Sequence, residues 1–362
     1  MAATNFLTNN PLTVKAWAKK LYVQAIYDTY ASRFMGSSAS SLVQVRDEVR
    51  KGPGDKITVG LRMQLNGTGV QGDDTLEGNE EALITYSDSV FVDQLRHAVR
   101  SKGKMSEQRV AFDVMQEHQQ ALSDWFADRI DSAFFNQLAG NTAVTDKRYT
   151  GSNDTVAPST NNIIRVGTSA TTTDGSLSTV DTFTITTLDR AVAKAKTLND
   201  SGQPIIRPIR YKGQDKYVAF LHPYQVYSLR TTATANTVTW WEINRSALSG
   251  GSATAEDNIY RGSLGEYNNV ILHESARVPL CSDTTTPISN TRRAIFCGAQ
   301  AAIMATGRDS DSPDSKMSMK TETFDYENQV GVSAGLIWGL KKAVFNSNDF
   351  GVITMHSYAA AP

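Results

Sequence analysis

Cysteine is scarce in this chain: Cys281 and Cys297 are the two examples among 362 residues. Two cysteines cannot build the disulfide framework on which small secreted domains depend, and unpaired thiols suit a reduced cytoplasm. We expect both side chains to be buried as small apolar groups.

An excess of charge of one sign is also missing, because 36 basic residues face 37 acidic residues. A formal net charge of −1 argues against a protein that wraps nucleic acid through a strong basic field. The same balance lets many identical copies approach one another without large electrostatic repulsion.

Long hydrophobic runs are absent as well. No stretch of about 18 apolar residues occurs, so we expect no membrane span and no membrane partner. The first residues lack a basic segment followed by an apolar one, which predicts no signal peptide, and no removed pro-segment is indicated.

Sequence motifs that are typical of catalysis are absent from the chain. The chain has no GxxxxGK[ST] phosphate loop, no HExxH zinc motif and no GxSxG nucleophile elbow. The aspartates of "GRDSDSPDS" lack the spacing of a calcium loop, which indicates a solvated loop. The histidines have no metal-ligand spacing; they are His97, His118, His222, His273 and His356. We therefore predict no catalytic, cofactor-binding or metal-binding residue, and no enzyme.

The strongest local pattern is the stretch "KITVGLRMQL" at 56–65, in which apolar and polar residues alternate. This alternation is typical of a strand with one apolar and one polar face. The apolar positions are Ile57, Val59, Leu61, Met63 and Leu65. A second strand-like run at 82–92 predicts a long hairpin, which is marginal in water and needs support from the same chain or from a neighbouring one.

The tip and the base of this hairpin carry opposite charges. Acidic residues at the tip include Asp73, Asp74 and Glu77. A basic cluster follows the second strand and consists of Arg96, Arg100, Lys102 and Lys104. This arrangement suits head-to-tail contact between copies, and the alternative interpretation is two solvated groups of charges.

Helical patterns flank the hairpin. An amphipathic pattern opens at Asn10-Pro11 and runs to Phe34, and a longer helix is predicted over 106–138, about 50 Å long, with Gly140 at its end. The polar stretch 141–186 is expected to lie on neighbouring elements. Later segments alternate strands and turns, so the predicted fold class is α+β with mostly antiparallel strands late in the chain.

Four segments give the chain a family resemblance. They are "ALITYSDSVFVDQLRHAVR", "GSLGEYNNVILHES", "FCGAQAA" and "FDYENQVGVSAGLIWGLKKAVFN", spread over residues 82–346. In their order and texture they resemble the major capsid proteins of tailed bacteriophages with the Hong Kong 97-type fold, and more closely the coat-protein family typified by the N-four phage.

The resemblance implies an N-terminal arm, an extended β-hairpin loop, a long spine helix, and peripheral and axial domains. The implied ranges are the arm at 1–45, the extended loop at 46–104, the peripheral domain with the spine helix at 105–186, the axial domain at 187–310, and a return to the peripheral domain at 311–362. Some relatives cross-link through a loop lysine. The tip at 66–81 has none, and Lys56 lies at the loop base, so cross-linking is not expected.

The implied function is a structural one: pentamers and hexamers of an icosahedral head that encloses double-stranded DNA, made in the host bacterial cytoplasm. Portal and scaffold proteins are implied partners, with a decoration protein as a further candidate. Lys15, Lys19 and Lys20 on the inner arm are candidates for non-specific DNA contact, and the alternative interpretation is that they are solvated helix charges. We expect an adjacent copy to cover most of the apolar hairpin face, so that Leu61→Asp blocks assembly without unfolding the subunit.

Two other classes of function are also consistent with the sequence. An encapsulin-like compartment shell or a tail sheath or tube subunit would also self-assemble, and particle shape would separate them. A carbohydrate-active hydrolase would instead need two carboxylates about 5–10 Å apart in a cleft.

Overall fold

The protein is described by a computed structural model over residues 29–47, 54–63, 65, 67–110, 113–167, 173–197, 205–211, 213–231, 263–283, 286–307 and 317–362. The helices are α1 Lys104–Gln108, α2 Val114–Ala139, α3 Ile185–Lys196 and α4 Pro223–Thr231, with 3-10 turns at Tyr30–Phe34, Lys147–Tyr149, Thr160–Asn162 and Asp174–Ser176. The strands are β1 Met35–Gly36, β2 Val43–Arg46, β3 Lys56–Arg62, β4 Thr85–Phe91, β5 Asp93–Arg100, β6 Ile163–Arg165, β7 Ile209–Tyr211, β8 Gln214–Leu221, β9 Ser263–Tyr267, β10 Val270–Glu274, β11 Ser282–Asp283, β12 Thr286–Pro287, β13 Thr291–Cys297, β14 Ala302–Thr306, β15 Met317–Phe324, β16 Gln329–Lys342, β17 Val344–Phe345, β18 Asn348–Asp349 and β19 Val352–Tyr358.

The long helix α2 is shorter than the sequence predicts, since its 26 residues span about 39 Å. The Asp113 carboxylate accepts a hydrogen bond from the Met115 amide and caps a new helix there, separate from α1. Gly140 ends α2 in the left-handed conformation, as predicted. The predicted apolar row is buried throughout: Leu122, Phe126, Ile130, Phe134 and Leu138.

A seven-stranded mixed sheet has the order β6-β19-β13-β8-β10-β9, with β7 paired to β8. Alternate residues of β8 face opposite sides: Val218 and Phe220 join the cluster around α2, whereas Ala219 and Leu221 join the cluster around α3 and α4. Both faces of the strand are therefore covered by helices, which explains its continuous apolar run.

A six-stranded sheet has the order β1-β2-β14-β16-β15, with β5 also paired to β16. Trp338 of β16 pairs with Asp93 of β5 and with Thr306 of β14, so these two strands lie on opposite sides of β16. Residues of this sheet and of the seven-stranded sheet pack on α2 in one apolar cluster. The long helix thus joins the two sheets.

The predicted hairpin is present as the antiparallel pair β3-β4, which joins Lys56 to Phe91 and Arg62 to Thr85. Its strands have 7 residues each and are shorter than the predicted runs. After Val92 the chain leaves the hairpin and enters the six-stranded sheet as β5. The base of the hairpin is therefore continuous with the main body of the protein.

Sheet membership crosses the domain ranges drawn from the sequence. β6 lies in the range assigned to the peripheral domain and β19 in the range that returns to it, yet they are neighbours in the seven-stranded sheet. The crossing arises because strand pairing joins segments about 190 residues apart, which local patterns do not encode. None of the described helices combines the length and apolar character that a membrane span requires.

Candidate assembly surfaces

The base of the apolar hairpin face is covered by its own chain. Ile57 is 4% exposed and packs in a cluster with Ile303, Phe345 and Phe350. Val59 and Leu61 are half-buried against the same cluster. The hairpin packs against β14 and the β17-β18 turn of its own chain. The expectation that a neighbouring copy covers this face is therefore wrong for Ile57. For Val59 and Leu61 a neighbouring copy could cover only the part of the side chain that is still exposed.

Asp88 fixes the hairpin to the body of the protein. Its carboxylate forms a buried ion pair with Lys341 and accepts a hydrogen bond of 3.1 Å from the Val344 amide. In the sequence, Asp88 is an acidic interruption of the strand-like run at 82–92. In the structure that interruption is the anchor, because a buried carboxylate is stable only where cations and amide donors surround it.

Asn153 holds the end of β4 from the other side. Its side-chain oxygen accepts a hydrogen bond from the Phe91 amide, and its side-chain nitrogen donates one to the Phe91 carbonyl, both at 2.9 Å. Gly339 lies beside the same carbonyl, where any Cβ atom would collide with the Phe91 oxygen. The hairpin therefore leaves the body at a direction set by buried polar contacts.

The distal loop, which comprises the described residues 63, 65 and 67–84, lies outside these contacts. Its large apolar side chains are more than half exposed: Leu65, Leu76, Leu83 and Ile84. The predicted acidic residues Asp73, Asp74 and Glu77 are exposed there too. Local hydrogen bonds shape the segment, such as the 2.6 Å bond from the Gly67 amide to the Glu81 carboxylate. The result is an apolar and acidic surface carried on a fixed base.

The predicted basic cluster follows the hairpin in the chain. Arg96 and Arg100 lie on β5, and Lys102 and Lys104 lie just beyond it; all four side chains are exposed. The Arg100 guanidinium sits over the Phe324 ring, 4.1 Å from its centroid. Lys102 and Lys104 lie past the end of β5 that is farther from the hairpin along the chain, where their backbone groups contact Gln329 and Asn328. The third predicted group, Lys15, Lys19 and Lys20, lies outside the described residues.

A buried polar network that the sequence did not reveal lies where β19 meets the 3-10 turn Asp174–Ser176. The Asp174 carboxylate is 2.7 Å from His356 Nδ1 and 2.7 Å from Arg165 Nε, and Arg293 Nη2 lies 3.6 Å away. Arg293 also donates to the carbonyls of Ala139 and Gly140 at the end of α2. The network therefore ties the long helix to the seven-stranded sheet.

Protonation in this network follows from burial. Burial lowers the pKa of His356 to about 4, with Arg293 acting in the same direction and Asp174 opposing it. Burial alone would raise the pKa of Asp174, but hydrogen bonds from His356 and Arg165 bring it down to about 2. At neutral pH a neutral imidazole thus donates its Nδ1 proton to a carboxylate that two guanidinium groups neutralise.

Cys281 completes a trio with Asp174 and His356 whose ligand atoms all lie within 4.8 Å of one another. Two features favour a structural role over cation binding. Arg165 and Arg293 already neutralise the carboxylate. Burial also raises the pKa of the Cys281 thiol to about 12, so it is not a thiolate at neutral pH. The three residues are 75 to 182 positions apart in the sequence, so no spacing pattern could have grouped them.

Comparison with known proteins places these surfaces in context. A sequence model of a family described as phage capsid protein matches residues 5–361. The major capsid protein of Pseudomonas phage KPP25 is 29% identical over 389 residues, which cover 98% of this chain and 97% of the relative.

Solved structures of phage capsids are also similar to this chain. The capsid of Ralstonia phage GP4 is similar with a TM-score of 0.76 and 31% identity, covering 100% of this chain and 99% of that chain. The Cyanophage Pam1 capsid asymmetric unit has a TM-score of 0.71 at 20% identity, covering 100% of this chain and 95% of that chain, which is a likeness of fold.

Proposed function

The chain belongs to the phage capsid protein family and is a major capsid protein with the Hong Kong 97-type fold, and from this premise we propose how its copies join. Its role is structural, and its copies assemble into the shell of the virion. In our proposal the shell is built from pentamers and hexamers and encloses double-stranded DNA. In this proposal the distal loop lies over the neighbouring copy in each ring.

The observation that carries this proposal is the apolar surface of the distal loop. Leu65, Leu76, Leu83 and Ile84 are each more than half exposed on a segment that its own chain does not cover. Burying such side chains contributes on the order of 1–2 kcal/mol each before ordering costs are subtracted. A surface that is unfavourable in the free subunit becomes favourable in the shell.

Charge would orient the contact. In this proposal Asp73, Asp74 and Glu77 of one copy approach Arg96 and Arg100 on β5 of another, which are exposed on an edge of the six-stranded sheet. Exposed charge pairs are individually worth about 0–1 kcal/mol and mainly set register and association rate. Lys102 and Lys104 lie beside the turn between β15 and β16 instead.

The test replaces exposed leucines of the distal loop. Leu76→Asp combined with Leu83→Asp should abolish shells in negative-stain micrographs and leave a folded subunit by circular dichroism. The matched control is Val180→Asp, since Val180 is 84% exposed outside the loop. Shells of normal yield from the double variant would overturn the proposed covering. Leu61→Asp is a weaker test than the sequence suggested, because Leu61 also packs within its own chain.

Other parts of the functional prediction are retained as proposals. The division into peripheral and axial domains is kept, with β19 now grouped with the axial strands because of its pairing. Portal, scaffold and decoration proteins, non-specific DNA contact through Lys15, Lys19 and Lys20, and the N-four subdivision also remain proposals.

A further inference from the structure

The turn between β15 and β16 presents a tyrosine with no support from its own chain. Tyr326 is 102% exposed, the highest value among the large apolar and aromatic side chains described. It stands between Asp325 and Glu327, and all three residues have positive φ angles of 53°, 50° and 66°. A bulky residue in this region of backbone space is an outlier that costs free energy. The turn therefore holds an aromatic ring in solvent at a cost to the subunit.

The base of this turn is held firmly, so Tyr326 is a fixed projection. The Gln329 side chain donates a hydrogen bond of 3.1 Å to the Lys102 carbonyl, and the Ser101 amide donates one of 2.9 Å to the Val330 carbonyl. The Lys104 amide also contacts the Asn328 side-chain oxygen at 3.4 Å. Lys102 and Lys104 thus lie next to the turn that carries Tyr326.

A cavity of about 230 Å³ opens beside the same turn. Its lining consists of Ser101, Glu107, Asp113, Val114, Met115, His118 and Val330. It is smaller than the roughly 300 Å³ at which small-molecule sites begin, yet an apolar cavity of about 150 Å³ accommodates benzene. The volume therefore suits one aromatic side chain.

The chemistry of the lining matches a phenol. Val114, Met115 and Val330 offer apolar and thioether contacts to a ring. The carboxylates of Glu107 and Asp113 are acceptors to which a phenolic O–H donates. The same chain's Tyr326 does not occupy the cavity, because its side chain is fully exposed.

The charged residues next to Tyr326 and those next to the cavity lining have opposite signs. Asp325 and Glu327 flank Tyr326 in the sequence, and Lys102 and Lys104 come directly and three residues after Ser101 of the cavity lining; all four side chains are exposed. Within the described part of the chain, no ion pair engages any of these four residues. When one copy's turn meets another copy's cavity, the acids of the first reach the lysines of the second.

We infer that Tyr326 of one copy inserts into the cavity of a second copy, and that this contact joins subunits in the shell. The inference rests on the proposed assembly and adds a contact separate from the distal loop. Because the ring and the cavity lie at the same corner of the molecule, two copies related by a two-fold axis each give and receive a ring, which is an isologous contact.

Tyr326→Ala tests the contact with little risk to folding, since the side chain touches nothing in its own chain. Buried tyrosines at interfaces are frequent hot spots, so the subunit concentration needed for assembly should rise by at least about tenfold. Tyr326→Phe keeps the ring and should cause a smaller rise. Tyr227→Ala is the matched control, since Tyr227 is 51% exposed on α4. A Tyr326→Ala variant that assembles like the unaltered chain overturns the inference.

A cross-link locates the contact directly. Tyr326→Cys combined with Val114→Cys should give oligomers on a non-reducing gel of assembled shells. Tyr326→Cys with Val180→Cys is the control pair and should stay monomeric. The native thiols Cys281 and Cys297 are buried and do not compete. Shells that yield no cross-linked oligomers contradict the inference alone, whereas a chain that forms no shells without any substitution contradicts the proposed assembly.

Discussion

At the scale of single residues, the most constrained groups in this protein are buried charges and histidines. Lys342 and Asp349 form an ion pair of 2.7 Å with both side chains almost fully buried. His356, Asp174 and Arg293 form a second buried group at the end of α2. Such groups are stable only while every partner is present, since removing one leaves an uncompensated charge in a low-dielectric interior. They fix how the elements meet more than they add net stability.

Acid sensitivity follows from the His356 site. The unfolded chain protonates this histidine near its ordinary pKa of 6.5, and the folded chain does so only near 4. The unfolded state therefore binds the extra proton between these values, and the free energy of unfolding falls as the pH drops through that window. Between pH 7 and pH 5 the fall from this group should be roughly 2 kcal/mol.

The measurement compares denaturant unfolding of the subunit at pH 7 and pH 5. His356→Gln removes the titrating group and should lessen the pH dependence by about that roughly 2 kcal/mol, with Asp174, Arg165, Arg293 and Cys281 unchanged around it. His97→Gln is the control, because the His97 side chain is exposed. Equal pH dependence in the unaltered chain and His356→Gln would rule out this source of acid sensitivity. Burial also lowers the pKa of His222 and His273 to about 4, so part of the slope should persist.

At the scale of elements, the extended hairpin is held to the body of the protein by contacts at its base. Its strands β3 and β4 pair only with one another in the described part of the sheet network. Such a two-stranded element is marginal alone. The Asp88 ion pair, the Asn153 clamp and the close approach at Gly339 supply the missing support. These contacts set the orientation of the hairpin in the free subunit, before assembly.

Asn153→Ala should weaken the attachment of β4 to the body of the protein. Both side-chain hydrogen bonds to Phe91 disappear, and losing buried bonds of this kind costs about 1–3 kcal/mol in total. Amide exchange at Phe91 should accelerate roughly 10- to 100-fold while α2 keeps its protection. Asn79→Ala is the control, since the Asn79 side chain makes an exposed hydrogen bond within the distal loop. Unchanged exchange at Phe91 would show that other contacts hold the strand.

At the scale of the whole molecule, the subunit is divided between a sheltered body and surfaces left for other copies. The two large sheets share an apolar cluster around α2. The distal loop and the Tyr326 turn instead expose apolar and aromatic side chains. Exposed apolar surface of this kind is typical of interaction sites, because monomeric proteins rarely expose large contiguous apolar patches.

Assembly should therefore change the accessibility of the distal loop. In free subunits a protease should cleave within 67–84, and in shells this segment should be protected by at least about tenfold in rate, because a neighbouring copy covers it. The β8 peptide, buried within its own chain, should resist equally in both states and serves as the control. Equal cleavage of the loop before and after assembly would contradict the proposed covering.

The sequence by itself determined the elements whose patterns are local. Alternation at 56–65 predicted β3, a spacing of four predicted the buried row of α2, and Gly140 marked the helix end because few other residues adopt a left-handed conformation there. Segment order and texture also pointed to the capsid family, which the comparisons confirm.

Tertiary structure alone decided which surfaces are covered. Ile57 and Leu65 belong to one alternating pattern, yet the first is buried in its own chain and the second is exposed. The contacts of Asp88 with Lys341 and Val344, of Asn153 with Phe91 and of Asp174 with His356 join residues 62 to 256 positions apart. Periodicity shows that a strand has an apolar face that must be buried. Which segment buries that face depends on how distant parts of the chain pack together in the folded protein.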